Sequence, residues 1–326
     1  MATYRRLSTL TIGVVAAVAS AFAVAACGAT TSPPSAQPTT CTTGQISQKP
    51  DPQPMTITEL RNEAAAAQVP ASFKSKGTLT IATDASYAPN EFTAQGSGDI
   101  IGMDVDLGKA IGQTLGLKVK FVNASFDGIL AGIQAGRYDL GMSSFTDTKE
   151  REQTVDFVNY FTAGTSTMVT SCNPKHINTV ADLCGKTVGA EQGTTQLDQL
   201  TKADADGSVV KQCQDDGKPA PIAKGFPKQT DVNTALQAGR IDAYLADSPV
   251  VDYALEQTGG VFKKVGGDLD TAPYGIAVPK DGGTLKNAVQ AAVQQLMKDG
   301  TYKLILTHWG VASGAVTTAG INGAQS

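Results

Sequence analysis

Residues 133–144 read IQAGRYDLGMSS, and residues 236–247 read LQAGRIDAYLAD. Each copy holds the end of a helix, a glycine stop, Arg-x-Asp, and an apolar strand that ends on polar groups. The spacing is identical, so Ser144 stands where the second copy has Asp247. KTVGAEQGTTQ (186–196) reads as a further strand, then Gly193 and a helix start bearing Thr194 and Thr195. The free N–H groups of such a start suit an anion. Strands alternating with helices imply parallel sheets with right-handed crossovers. Ligands of open α/β sheets bind beyond the carboxyl ends of the strands. Four such ends carry polar groups here: Asp84, Ser143 with Ser144, residues 192–195, and Asp247. The chain therefore reads as two α/β lobes facing each other across a cleft.

The first copy continues as GMSSFTDTKEREQTVDF (141–157). An apolar strand over 138–142 releases the hydroxyls of Ser143, Ser144, Thr146 and Thr148 into a turn. A short helical run follows, with Thr148 as its N-cap and Arg151 in its first turn. Hydroxyls and a guanidinium at a strand end suit a small carboxylate, which an arginine meets as a two-pronged fork. Upstream, GTLTIATD (77–84) and LKVKFVNA (117–124) are strands, and residues 104–115 and 126–137 are helices stopped by Gly116 and Gly136. A hairpin is expected around Gly96 and Gly98.

The remaining composition bounds the function. With 26 Lys+Arg against 30 Asp+Glu and a net charge of −4, nucleic acid is not a partner. Arg5 and Arg6 precede a charge-free run over 10–26 that ends in Val24-Ala25-Ala26-Cys27. This is a secretory signal that resembles a bacterial lipobox, with Cys27 as the lipidated mature N-terminus. Residues 28–54, rich in Ser, Thr, Pro and Gln, read as a disordered tether. TITELRNEAAAAQ (56–68) reads as a helix appended to the first lobe. An exported chain sits in an oxidising compartment, and Cys41, Cys172, Cys184 and Cys213 allow three pairings. Cys184–Cys213 is expected, with Cys41–Cys172 as the remaining pair. His176 and His308 are isolated and no CxxC occurs, so neither a metal nor a cofactor is expected.

Several segments, in order, resemble family 3 of the extracellular solute-binding proteins, the polar amino-acid receptors of ABC importers. They are TDASYAP (83–89), the helix start Gly102-Met103-Asp104-Val105-Asp106-Leu107, FDGIL (126–130), SSFTDTKER (143–151), QGTTQ (192–196) and PYGIAV (273–278). Met103 departs from the bulkier residue usual at its position. The resemblance covers about residues 76–311.

It implies an α/β, two-lobed, periplasmic-binding-protein-like (Venus-flytrap) fold, each lobe a mostly parallel sheet flanked by helices. The expected divisions are a signal over 1–27, a tether and N-terminal helix over 28–76, lobe 1 over 77–165 plus 270–311, lobe 2 over 166–269, and a tail over 312–326. The crossings near 162–167 and 268–272 would form the hinge. By position, Arg151 would fork a ligand α-carboxylate, with Ser144, Thr146 and Thr195 supplying hydroxyl or backbone donors around it, and Ser143 and Thr194 would also contact the substrate. Asp247 would take the α-ammonium with the Ser144 carbonyl as a helper, Tyr87 and Phe126 would sandwich the aliphatic part, and Asp84 would meet the head group. A zwitterion entering a dry cleft needs one charge of each sign, or its desolvation goes uncompensated.

The expected partners are a free amino acid, the membrane subunits of an ABC importer, and the outer face of the cytoplasmic membrane through the lipid; the chain would be a monomer. Asp84 and Glu191 converging on the head group, with Asn90 adding polarity, rank basic amino acids first, glutamine or asparagine second, and glutamate or aspartate third. The rival readings are a periplasmic dehydratase of prephenate or arogenate on the same fold, and a ligand-sensing module. The retained pair Arg151 and Asp247 favours a receptor over an enzyme.

Overall fold

The computed structural model describes residues 50–324. The signal over 1–27, Cys27, Cys41 and most of the tether lie outside the described residues. After helices α1 (Glu63–Ala67) and α2 (Ala71–Lys76) come strand β1 (Thr78–Thr83) and a small antiparallel sheet of β2 (Ser86–Tyr87), β3 (Glu91–Thr93) and β4 (Ile100–Ile101). Helix α3 (Met103–Leu115), β5 (Lys118–Asn123), α4 (Phe126–Gln134) and β6 (Leu140–Gly141) complete the first run. A long strand, β7 (Val155–Thr170), leads to β8 (Thr187–Glu191), α5 (Thr195–Thr201), α6 (Val209–Asp215) and β9 (Ile222–Phe226). Then follow α7 (Gln229–Gln237), β10 (Ala243–Asp247) and α8 (Ser248–Thr258). A second long strand, β11 (Phe262–Pro279), returns to α9 (Leu285–Asp299) and α10 (Thr301–His308).

The main sheet has eight strands in the order β5-β1-β6-β11-β7-β10-β8-β9. Each end is parallel, β5-β1-β6 at one side and β10-β8-β9 at the other. Between them β7 and β11 run antiparallel from Val155↔Pro279 to Thr170↔Phe262. The expected crossings near 162–167 and 268–272 are therefore not loops between separate sheets. They lie inside a two-stranded ribbon shared by both lobes, which loses register between Val265 and Leu269, between Leu269 and Ala272, and between Tyr274 and Gly275.

Helices cover both faces, so β7 and β10 are buried along almost their whole length. On β10, Tyr244 and Ala246 pack with Val232 and Val251, whereas Ala243 and Leu245 pack with Val188 and Leu200 on the opposite face. This is the two-residue period of a strand. Cys184 and Cys213 form the expected disulfide, which fastens α6 to the turn before β8. The Cys41–Cys172 expectation involves a residue outside the described range.

One sequence expectation needs correction. The helix expected over 56–68 forms only at Glu63–Ala67, where the Asn62 side chain accepts from the Ala65 N–H as N-cap. Residues 55–62 instead run along α3: the Met55 N–H donates to Asp106 Oδ2 at 3.0 Å and the Asn62 N–H to the Thr114 carbonyl at 2.8 Å. The β-branched run Thr56-Ile57-Thr58 resists helix, and α3 supplies the bonding partners a helix would have supplied. The tail over 312–326 is docked on the first lobe as far as it is described. It bridges β7 at Phe161↔Ala315 and Val158↔Ile321, and the Gly323 N–H donates to Asp147 Oδ2 at 2.8 Å.

Candidate functional site

Asp84, Tyr87, Phe126, Ser143, Ser144, Thr146, Arg151, Thr194, Thr195 and Asp247 line one pocket, together with Glu191 and Gln196. The topology explains the convergence. Asp84 follows β1, Ser143 and Ser144 follow β6, Glu191 ends β8, and Asp247 ends β10. All four chain positions lie at carboxyl ends of parallel strands, from both ends of the sheet.

Arg151 opens a 3-10 turn whose N-cap is Glu150, not Thr148 as read from the sequence, although the Arg151 N–H donates to Thr148 Oγ1 at 3.2 Å. The guanidinium donates to the Thr146 carbonyl at 2.7 Å and to the Gly193 carbonyl at 2.8 Å. Two of its five N–H donors are thereby used, and three remain. It also lies over the Phe126 and Phe145 rings, 5.6 and 5.8 Å from their centroids. Gly193 meets the first lobe closely: its φ is +78°, and a Cβ there would fall 2.9 Å from Asp127 Cα. A side chain at 193 would push the β8 loop away from the guanidinium.

Asp247 is buried. Its Oδ2 accepts from the Tyr87 hydroxyl at 2.9 Å and its Oδ1 from Gln196 Nε2 at 2.8 Å. Burial pushes its carboxyl up to about 6, against the opposing pull of these donors and of Arg151. The Tyr274 hydroxyl is near enough to act on Asp247 electrostatically but completes no hydrogen bond. Gln196 stands in the sequence within QGTTQ, where no role was expected of it. It is buried at the second position of α5 and donates from Nε2 also to Thr165 Oγ1 at 3.0 Å.

Asp84 and Glu191 are both buried, at 3% and 2% exposure. Asp84 Oδ2 accepts the Phe126 N–H at 3.1 Å, while Glu191 Oε1 has no hydrogen-bond partner. Burial first, and then the charges of Asp84 and Asp247, push Glu191 up to about 9. Burial also raises Asp84, against hydrogen bonds from Ser86 and Phe126 and the charge of Lys228. The charge of Arg151 lowers Asp247. Among the lining residues, the single cation is thus set toward Asp247, and two carboxyls without a cation of their own share the remaining space.

Three hydroxyls depart from the sequence expectation. Ser143 Oγ accepts from the Asp84 N–H at 2.9 Å and donates to Glu91 Oε1 at 3.3 Å. Ser144 Oγ accepts from Asn90 Nδ2 at 2.9 Å and donates to Glu91 Oε2 at 3.1 Å. Thr194 Oγ1 caps α5 by accepting from the Leu197 N–H, and it donates to the Glu191 carbonyl. These hydroxyls line the pocket but bond into the protein, because buried strand ends and helix starts must be satisfied there. Among the described residues, no group of three or more His, Cys, Asp or Glu side chains is arranged to hold a metal.

With this geometry in view, the comparisons with known proteins are specific. Residues 79–312 match the bacterial extracellular solute-binding proteins, family 3. The chain belongs to this family. A family 3 relative, the arginine-binding protein ArgT of Corynebacterium glutamicum, is 33% identical over 257 residues, covering 78% of this chain and 82% of the relative. The histidine-binding periplasmic protein of Salmonella typhimurium is 29% identical, covering 69% of this chain and 84% of that protein. Solved structures of an ancestral arginine-binding protein, one bound to arginine and one bound to glutamine, each give a TM-score of 0.64 at 34% identity, covering 72% of this chain and 98% of the other. The fold is accordingly that of the two-lobed periplasmic binding proteins, and the family 3 relatives named here are amino-acid-binding proteins.

Proposed function

We propose that this chain is an extracytoplasmic receptor that closes around a free basic amino acid and delivers it to an ABC importer without transforming it. The observation that carries this reading is the charge layout of the pocket. One guanidinium lines the pocket with Asp247, and the buried pair Asp84 and Glu191 has no other cation among the lining residues, Lys228 acting on Asp84 from outside that lining. Arg151 would fork the α-carboxylate with its three remaining N–H donors, helped by Thr146 and Thr195. Asp247 would take the α-ammonium, Tyr87 and Phe126 the aliphatic chain, and Asp84 with Glu191 a cationic head group. Buried charges are tolerated when paired, and a ligand with two positive ends and one negative end supplies the pairs.

Lobe 1 would comprise residues 77–165 plus 270–311 and lobe 2 residues 166–269, bending in the ribbon at 162–167 and 268–272. Ligand favours closure because it touches both lobes at once. Cys27 would anchor a monomer to the outer face of the cytoplasmic membrane; Cys27→Ser should release it or leave its precursor unprocessed.

A thermal-shift and calorimetric panel of the twenty amino acids with ornithine and citrulline tests the substrate. Arginine, lysine or ornithine should bind most tightly, then glutamine or asparagine. Glutamate bound more tightly than arginine or glutamine would refute the assignment. Incubation with prephenate and arogenate tests the absence of turnover; product formation abolished by Asp247→Asn would make the chain an enzyme.

A further inference from the structure

The acidic start of α3, Gly102-Met103-Asp104-Val105-Asp106, contributes nothing to the pocket lining. Asp106 has a local task, accepting from Trp309 Nε1 and the Met55 N–H, each at 3.0 Å. Asp104 and Glu91 do not. Both are wholly buried, and both reach the turn at Ser143 and Ser144 from behind.

The contact is built by close backbone approach. Gly102 has φ +134°, and a Cβ there would lie 2.2 Å from the Asn90 carbonyl oxygen. Without that Cβ, the start of α3 seats against the segment before β3, and the Asp104 N–H donates to the Asn90 carbonyl at 2.9 Å. Asp104 Oδ2 then accepts the Ser144 N–H at 3.1 Å, while Oδ1 accepts from the Tyr160 hydroxyl at 2.6 Å. Glu91 accepts both serine hydroxyls, and Ser143 in turn holds the Asp84 N–H.

Ser144 needs this support. Its φ is +51°, the left-handed region that costs an L residue of order 1 kcal/mol or more unless its surroundings impose it. Its N–H and hydroxyl are both tied behind the pocket.

We propose that Glu91 and Asp104 are positioning residues for ligand binding, holding the Ser143–Ser144 turn at the pocket wall with Ser144 in the left-handed region. This rests on the receptor reading above. Both residues act through Ser143, Ser144 and Asp84, and neither touches the ligand. Burial first, and then the charge of Asp104, raises Glu91 well above the ordinary carboxyl range.

The test compares Glu91→Leu, Glu91→Gln and Asp104→Leu in the full chain by calorimetry with L-arginine and L-glutamine, alongside thermal unfolding without ligand. The leucine variants should lose at least tenfold in affinity for both amino acids, because the affected end is common to all of them. Glu91→Gln keeps an oxygen acceptor and an N–H₂ donor and should stay within about threefold. A merely structural role would lower thermal stability and leave the Kd of the folded fraction unchanged, which overturns the proposal. If a leucine variant does not fold, hydrogen exchange of the Ser144 amide in the unaltered chain decides. Strong protection supports the bond to Asp104, and exchange at the rate of an open loop overturns it. An unaltered chain that bound no amino acid would overturn the receptor reading and this inference with it. Tight binding by both the unaltered chain and folded leucine variants overturns this inference alone.

Discussion

The Tyr87 hydroxyl donates to Asp247 Oδ2 at 2.9 Å and accepts the Asp247 N–H at 3.1 Å, joining the small β2 strand to the end of β10, across the proposed division between the lobes. Two further bonds run the same way, from the Arg151 guanidinium to the Gly193 carbonyl and from the Gln229 N–H to Ser86 Oγ. Tyr87 is therefore a lobe-to-lobe fastener as well as one wall of the pocket. Tyr87→Phe keeps the ring but leaves a buried carboxyl oxygen and a buried N–H without that partner. The closed arrangement should lose about 1–3 kcal/mol. Denaturant unfolding measures the loss, and an unchanged midpoint and slope would remove the fastener role.

Arg151→Ala should abolish amino-acid binding and leave the fold intact. The guanidinium holds the Thr146 and Gly193 carbonyls and lies against two aromatic faces. Removing one partner of a charge-assisted, two-pronged pair inside a cleft costs roughly 2–5 kcal/mol. Calorimetry on the folded variant checks this, and near-native affinity would reassign the carboxylate.

Much of this was legible because strand ends are chemically conspicuous. The repeated helix, glycine stop and Arg-x-Asp placed Ser144 and Asp247 at equivalent strand ends, and parallel topology then brought them to one pocket. Long-range bonding was not legible. That residues 55–62 would lie along α3 depends on Asp106 and Gln113 offering acceptors to a distant backbone. That the Ser143 and Ser144 hydroxyls turn inward depends on Glu91, whose burial no local pattern reveals. Gln196 carried a signal within QGTTQ, but its bond to Asp247 joins residues fifty-one positions apart.

The Cys184–Cys213 disulfide closes a loop with a sequence separation of 29. In the chain-entropy account such a loop stabilises by about 3–4 kcal/mol. Replacing both cysteines by alanine should lower the stability of the fold while leaving arginine affinity in the folded fraction within about threefold, because neither cysteine lines the pocket. A large change in Kd without a change in stability would show that α6 governs the site.

The pH dependence of binding discriminates head groups. Glu191 is pushed up to about 9 from an ordinary 4.5, first by burial and then by Asp84 and Asp247. Its folded value lies above its unfolded one. The native chain therefore holds the proton between pH 4.5 and about 9 while the unfolded chain has lost it, and this group lowers stability progressively as pH rises through that window. A cation docked on Asp84 and Glu191 favours the ionised carboxyl, so binding expels the proton. Arginine affinity should then rise with pH toward about 9, by as much as tenfold per unit where a full proton is released. Asp247, which titrates near 6, Arg151 and the ligand's own ammonium act equally on glutamine, so the glutamine profile removes their share. Asp127 and Lys228 also face the carboxyl pair, and they are common to both ligands. Glu191→Gln should flatten the arginine profile to that of glutamine. Calorimetry in buffers of different ionisation enthalpy counts the proton directly; parallel profiles for the two ligands in the unaltered chain would place the cationic head group elsewhere.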